Sequence, residues 1–148
     1  MNEIEKITNS NAVAKLPLLA AVVALIGLGD AIYLTIHHLT GEIVPCAVTG
    51  GCETVLTSSY AEISGIPVAA FGVVAYFIAF SLAILAAFGN KKMWWLFGFQ
   101  VTLMALASSY FVYLQLFVIK AICPYCMVSA GVCFTLFIIA LISKFWKK

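Results

Sequence analysis

The chain has 148 residues, 64% hydrophobic and 9% charged, with a net charge of +2. A soluble domain of this size is nearer a quarter charged, so these residues cannot clothe a water-facing surface. The weak net charge gives no electrostatic basis for a nucleic-acid partner.

Residues 1–15 carry Lys6 and Lys15 and are expected to form a cytoplasmic N-terminal segment. The apolar run 16–39 follows, long enough to cross a bilayer, which takes roughly 20 helical residues. It ends in His37 and His38 with no small-residue cleavage site after it, so it reads as a mature span and not as a signal peptide. After the loop 40–65 come three more spans, 66–88, 93–118 and 123–142, the first two of these joined by the tight turn "GNKK". The expected fold is an all-α integral membrane domain, 16–148: a bundle of four transmembrane helices with a long outer loop between helices 1 and 2.

Positive charge favours the cytoplasmic side. Lys6 and Lys15 precede span one, Lys91 and Lys92 lie in the turn between spans two and three, and Lys144, Lys147 and Lys148 follow span four. The long loop has no lysine and carries Glu42, Glu53 and Glu62; Lys120 is the one dissenting charge. Both termini are therefore expected in the cytoplasm of a multi-pass cell-membrane protein, with the loop facing the periplasm or outside. Trp94, Trp95 and Trp146, beside lysines, are expected as interfacial anchors.

Four of the five cysteines fall in pairs on that outer side. Cys46 and Cys52 lie in the loop stretch "CAVTGGC", and Cys123 and Cys126 form "CPYC" at the mouth of span four. Cys133, two turns deeper on nearly the same face, reads as an inert buried side chain. As staples the pairs would do little, since loops this short give roughly 2 kcal/mol or less. Zinc is not expected, because no second C-x-x-C is present. A thiol-lined path for a soft metal ion is the alternative from another class, opposed by the lack of cysteines in the inner half. Redox chemistry fits best. C-x-x-C at a helix start puts two sulfurs on one turn, where the unpaired N–H groups and dipole favour a thiolate. Pro124 suits a first turn, and two adjacent pairs can pass electrons by thiol–disulfide exchange.

The stretches "LGDAIYLTIHHL", "CAVTGGCETVLTSSYAEISGIPVAAFG" and "AICPYC" together resemble the vitamin K epoxide reductase family in its bacterial or archaeal branch. The resemblance covers nearly all of the chain after residue 15. It implies a quinone (ubiquinone or menaquinone) between the helices, Cys46 and Cys52 as a shuttle pair, and Cys123 and Cys126 as the pair beside the quinone. It also implies a pocket role for Ser58 and a short helix after Cys52 that covers the site, with Val55, Leu56, Tyr60 and Ile63 on the membrane surface. The implied function is a membrane thiol oxidoreductase that takes electrons from a thioredoxin-fold carrier and generates disulfides. Its alternative is quinone or quinone-epoxide reduction as the main role. The animal branch has an asparagine entering span two and a tyrosine four residues after the second active-site cysteine. Here "GIPVAAFG" has no amide and that position is Ala130, which turns the expectation away from vitamin K epoxide. Many prokaryotic members carry a fused thioredoxin-like domain; with Lys148 last, the carrier is expected as a separate chain.

Besides Ser58 and Cys126, the expected quinone contacts are Phe71 and Asp30. Asp30 is the only acidic residue inside a span, and intramembrane carboxyls are often functional. It reads either as a proton donor for quinone reduction or as a carboxyl hydrogen-bonded to a loop or a neighbouring helix. Tyr76, Phe111, Tyr113 and Phe117, like Phe71, face either a ring or lipid. His37 and His38 read as interface histidines without a task, the alternative being a proton role or a quinone hydrogen bond for one of them, and Tyr125 tunes the pair or packs.

Overall fold

The structure, a computed structural model, describes residues 2–45 and 51–146. Cys46, Lys147 and Lys148 lie outside the described residues. In chain order the elements are α1 (Glu3–Thr40), α2 (Gly51–Leu56), a hairpin of β1 (Glu62–Ile63) and β2 (Ile66–Pro67), α3 (Val68–Ala87), α4 (Lys91–Tyr113) and α5 (Pro124–Trp146). A π-helical turn, Leu114–Ile119, continues α4. Among the described residues four stretches are long and apolar enough to cross a membrane: Lys15–Thr40, Val68–Ala87, Lys91–Ile119 and Pro124–Phe145. They match the four expected spans to within a few residues. The N-terminal segment expected as separate is helical from Glu3 and runs through Pro17 into span one without a break.

α1 and α4 each pack against both α3 and α5, so the bundle closes in the cyclic order α1, α3, α4, α5. The α1–α3 contact is the most extensive, and the residue types explain it. Ala20, Ala21, Ala24 and Ala31 on α1 share one buried cluster with Ala79 and Ala83 on α3. Small side chains let helix backbones approach closely where lipid offers no hydrophobic drive for association. Large apolar side chains such as Leu18, Leu25, Phe77, Leu106 and Ile138 point outward, as they would in lipid and as a soluble bundle could not tolerate.

At the "GNKK" turn, Asn90 caps α4 by accepting from the N–H groups of Lys92 and Met93 at 3.2 and 3.4 Å. Trp94, expected as an interfacial anchor, is half-buried. It turns inward, stacks on Phe97 with centroids 4.8 Å apart, and donates its indole N–H to Ser143 Oγ on α5 at 2.8 Å. The hydrogen-bond partner on α5 draws it in. Trp95 stays exposed.

The loop end of the bundle is built, not loose. The hairpin turns through Ser64 (φ 56°) and Gly65 (φ 82°), both in the left-handed region that a two-residue hairpin turn requires. His38 at the end of α1 meets Glu62 of β1 at 2.7 Å.

Candidate functional site

Cys123 opens α5. Its carbonyl accepts from the Met127 N–H at 3.0 Å, and Pro124 is the first helical residue. The Cys123 N–H, which no helix carbonyl can take, donates to Gln115 Oε1 at 3.1 Å. Cys123 is fully buried and Cys126 half-buried. The Cys126 thiol donates to the Cys123 sulfur, and the N–H groups of Cys126 and Tyr125 also support it. Together they bring the Cys123 thiol down from its usual range against the opposing effect of burial.

The loop reaches this turn through backbone contact. A Cβ at Gly51 would overlap the carbonyl of Ile122, so only glycine lets α2 settle on the segment leading into Cys123. The next residue, Cys52, is fully buried and disulfide-bonded. It shares one cluster with Leu34, Val44, Val55 and Cys123. Tyr125, between the two cysteines of CPYC, stacks at a tilt against Tyr33 (centroids 5.4 Å) and donates its hydroxyl to the Pro45 carbonyl at 3.3 Å. The C-x-x-C turn is thus tied to the residue preceding Cys46, while Cys46 itself lies outside the described residues.

On the other side of the turn an apolar cavity of about 260 Å³ opens between the helices, roofed by α2. Asp30, Ser58, Phe71 and Cys126 all line it; Cys123 does not. Ser58 donates its hydroxyl to the Val55 carbonyl at 2.7 Å, closing the end of α2. Asp30 Oδ2 is buried with no hydrogen-bond partner among the described residues. Phe71 and Phe111 line the cavity, whereas Tyr113 and Phe117 face outward against each other, 5.2 Å between centroids. Val55 and Leu56, expected on the membrane surface, instead face the cavity, while Tyr60 and Ile63 are exposed. The reason is that α2 is the roof of an apolar space and buries its apolar side there.

Sequence reasoning missed two features. Gln115 is 3% exposed, lines the cavity, and carries the turn into CPYC. Its backbone carbonyl accepts from Lys120 and Ala121, and its side chain accepts from Cys123. The only signal was one uncharged amide in an apolar run. The second feature is the Tyr76 hydroxyl, which donates to the Ser129 carbonyl at 2.8 Å and also meets Ser129 Oγ at 2.8 Å and Cys133 Sγ at 3.1 Å. Its ring occupies the space that a Cβ at Gly27 would need. Cys133 therefore belongs to a polar cluster on the cavity wall and is more than apolar filling.

A family model described as the vitamin K epoxide reductase family matches residues 18–141. The Thiol-disulfide oxidoreductase LTO1 of Arabidopsis thaliana is 36% identical over 121 residues, which cover 75% of this chain and 32% of that protein. The chain thus spans about a third of the length of that relative.

Proposed function

The chain belongs to the vitamin K epoxide reductase family, and from that premise we propose that it is a membrane thiol oxidoreductase that carries electrons from a thioredoxin-like protein to a membrane quinone and so generates disulfides. The observation that carries this reading is the placement of one C-x-x-C pair. Cys126 lines the apolar cavity, while Cys123 does not and is fully buried in the cluster that holds Cys52, against which Cys126 also packs. Such a pair can face a soluble thiol relay with one sulfur and a lipid-borne acceptor with the other.

The cavity suits a quinone ring. A dry cavity of ~150 Å³ admits benzene, so about 260 Å³ leaves room for a substituted ring. Its lining is apolar with a few polar groups, as small-molecule sites usually are. Asp30 Oδ2 is a buried oxygen still lacking a partner. A quinone there would supply an acceptor for two electrons and two protons.

The sulfur chemistry then runs as two exchanges, each an attack by a thiolate on a disulfide through a mixed disulfide. A carrier dithiol reduces the Cys46–Cys52 disulfide and leaves as a disulfide. The Cys52 thiolate, held in the cluster with Cys123, attacks the Cys123 sulfur and expels Cys126. Cys46 then attacks Cys52, restoring the loop disulfide and leaving Cys123 and Cys126 as thiols. Their reoxidation to a disulfide releases two electrons and two protons, the amount that turns a quinone into a quinol. The lysine distribution supports a site facing the periplasm or outside, with both termini cytoplasmic. An impermeant thiol reagent that reached the reduced loop pair only after permeabilisation would reverse that orientation.

The deciding experiment counts thiols. Protein purified in detergent is reduced by a small dithiol, freed of reductant under anaerobic conditions, and mixed with ubiquinone or menaquinone in the presence of a metal chelator. The expected result is loss of two thiols per quinone consumed. Thiols that persist against both quinones would remove the quinone from the reading.

A further inference from the structure

We propose that Gln115 is a quinone-binding residue: its carboxamide N–H groups donate to a carbonyl oxygen of the ring while its Oε1 holds the Cys123 N–H. The inference rests on the quinone reading above and adds to it the residue that grips the acceptor and couples it to the C-x-x-C turn.

Three observations carry it. Among the described residues Gln115 and Ser143 are the buried polar side chains, and Gln115 lines the cavity together with Cys126. Its orientation is fixed from one side. Because Oε1 accepts from the Cys123 N–H at 3.1 Å, the amide nitrogen is the end left over, and among the described residues no acceptor takes its protons. Those N–H groups are free to donate to a carbonyl oxygen that arrives in the cavity Gln115 lines. The backbone of Gln115 is equally constrained. The π-helical turn ends at Lys120 in the left-handed conformation (φ 56°), and the N–H groups of Lys120 and Ala121 both return to the Gln115 carbonyl. The side chain therefore starts from a fixed backbone and cannot swing away without giving up its bond from the Cys123 N–H.

Three other polar groups on the cavity wall have already committed their protons: Ser58 donates to the Val55 carbonyl, His38 is paired with Glu62, and Tyr76 donates to the Ser129 carbonyl. Ser108 also lines the cavity, but it lies two turns further down α4, roughly 10 Å at 1.5 Å per residue. A quinone ring has no protons to donate and carbonyl oxygens to satisfy, so it needs donors, and the Gln115 amide offers two on the wall it shares with Cys126. The same contact draws electron density toward the ring oxygen as the two electrons arrive, which favours reduction.

The test uses the full-length protein in detergent with both disulfides formed, so that binding is read without turnover, and a short-tailed ubiquinone as the probe, titrated by calorimetry. Gln115→Met is expected to weaken binding about threefold to tenfold. Gln115→Glu keeps an oxygen for the Cys123 N–H in either protonation state but has a proton to donate only when neutral. Its quinone affinity is expected to match that of the parent at acid pH and to fall as the new carboxyl ionises. The parent is titrated at each pH, because Asp30, His38, Tyr60, Tyr76 and Cys133 also line the cavity. Parental affinity in Gln115→Met, or an affinity in Gln115→Glu that tracks the parent at every pH, would reduce Gln115 to a strut for Cys123. If Gln115→Met does not fold, the pH series on Gln115→Glu decides. A parent that neither binds the probe nor has its thiols oxidised by it would defeat the quinone reading itself, a result separate from the other two.

Discussion

Gly51 sits against the carbonyl of Ile122 so closely that a methyl group on it would overlap the oxygen. Each of the two residues immediately precedes a cysteine of a different pair. The contact is between backbones, which move less readily than side-chain ends, so it fixes Cys52 relative to Cys123 more tightly than packing alone.

Gly51→Ala tests that coupling. The methyl group meets a backbone atom, so α2 must shift off the CPYC approach. Exchange between the loop and C-x-x-C pairs is expected to slow by about tenfold to a hundredfold, the scale that a misplacement near 1 Å carries. Reduction of quinone driven by a small dithiol, which enters at CPYC directly, is expected to change little. Steady-state rates with a protein carrier and with the small dithiol separate the two. Equal rates with both donors in mutant and parent would mean the contact does not govern exchange.

Cys46→Ser and Cys52→Ser probe the order of the relay. Cys52 shares a buried cluster with Cys123, and the pairs are proposed to act in series. Either substitution should stop oxidation of the protein carrier while leaving quinone reduction by a small dithiol. In Cys52→Ser the lone Cys46 cannot form the loop disulfide that the carrier dithiol would attack, so the carrier should persist as a dithiol, counted by mass after thiol alkylation under non-reducing conditions. Carrier oxidation at the parental rate in either variant would take the loop pair out of the path.

The spans, the tight turn "GNKK" and the C-x-x-C at a helix start were legible because each depends on a local signal: a long apolar run, a short polar break between two such runs, or spacing within one turn. The cavity was less legible, because its wall is assembled from residues far apart in sequence. Asp30, Ser58, Phe71 and Cys126 come from four separate stretches, and only the resemblance linked some of them in advance. Gln115 was hidden by the π-helical turn Leu114–Ile119, which shifts the phase of the helix and turns inward a residue that regular periodicity does not assign. Val55 and Leu56 were misread for another reason. A six-residue helix completes fewer than two turns, too few for a 3.6-residue period to declare its buried side.

Cys133→Ala asks whether the third thiol of span four takes part. Its sulfur meets the Tyr76 hydroxyl at 3.1 Å, but that hydroxyl keeps both Ser129 atoms. The substitution is therefore expected to cost about 1 kcal/mol of stability and to leave turnover near that of the parent. Thermal unfolding in detergent and the small-dithiol assay read the two effects. A loss of turnover as deep as that from Cys123→Ser would make Cys133 a working thiol.

The pH dependence follows from Cys123, whose thiol is brought down chiefly by the hydrogen bond from Cys126. A depressed value means that the thiolate persists to lower pH than an ordinary thiol's and is lost as the pH falls through it. In a variant lacking the loop cysteines, the reduced pair should therefore begin to ionise below the usual thiol range. Cys126→Ala removes the donor, so Cys123 should ionise at higher pH, read by ultraviolet thiolate absorbance. An unchanged ionisation midpoint in Cys126→Ala would refute the proposed cause.

The two sulfurs of CPYC should also differ in which of them meets the quinone. Cys126 lies three residues further along α5 than Cys123, about 4.5 Å at 1.5 Å per residue. The cavity agrees with that depth: Cys126 is on its wall, and Cys123 is buried on the α2 side. A ring arriving from lipid meets Cys126, and a loop thiol arriving from the aqueous side meets Cys123. Attack on Cys123 breaks the Cys123–Cys126 bond and releases Cys126 as the leaving thiolate, facing the cavity at the positive end of the α5 dipole. Cys123→Ala leaves Cys126 free in that position and is expected to give a coloured thiolate–quinone charge-transfer complex on addition of quinone, visible by absorption spectroscopy. Cys126→Ala should give neither colour nor turnover. Colour with Cys126→Ala and none with Cys123→Ala would exchange the two roles and overturn the depth argument.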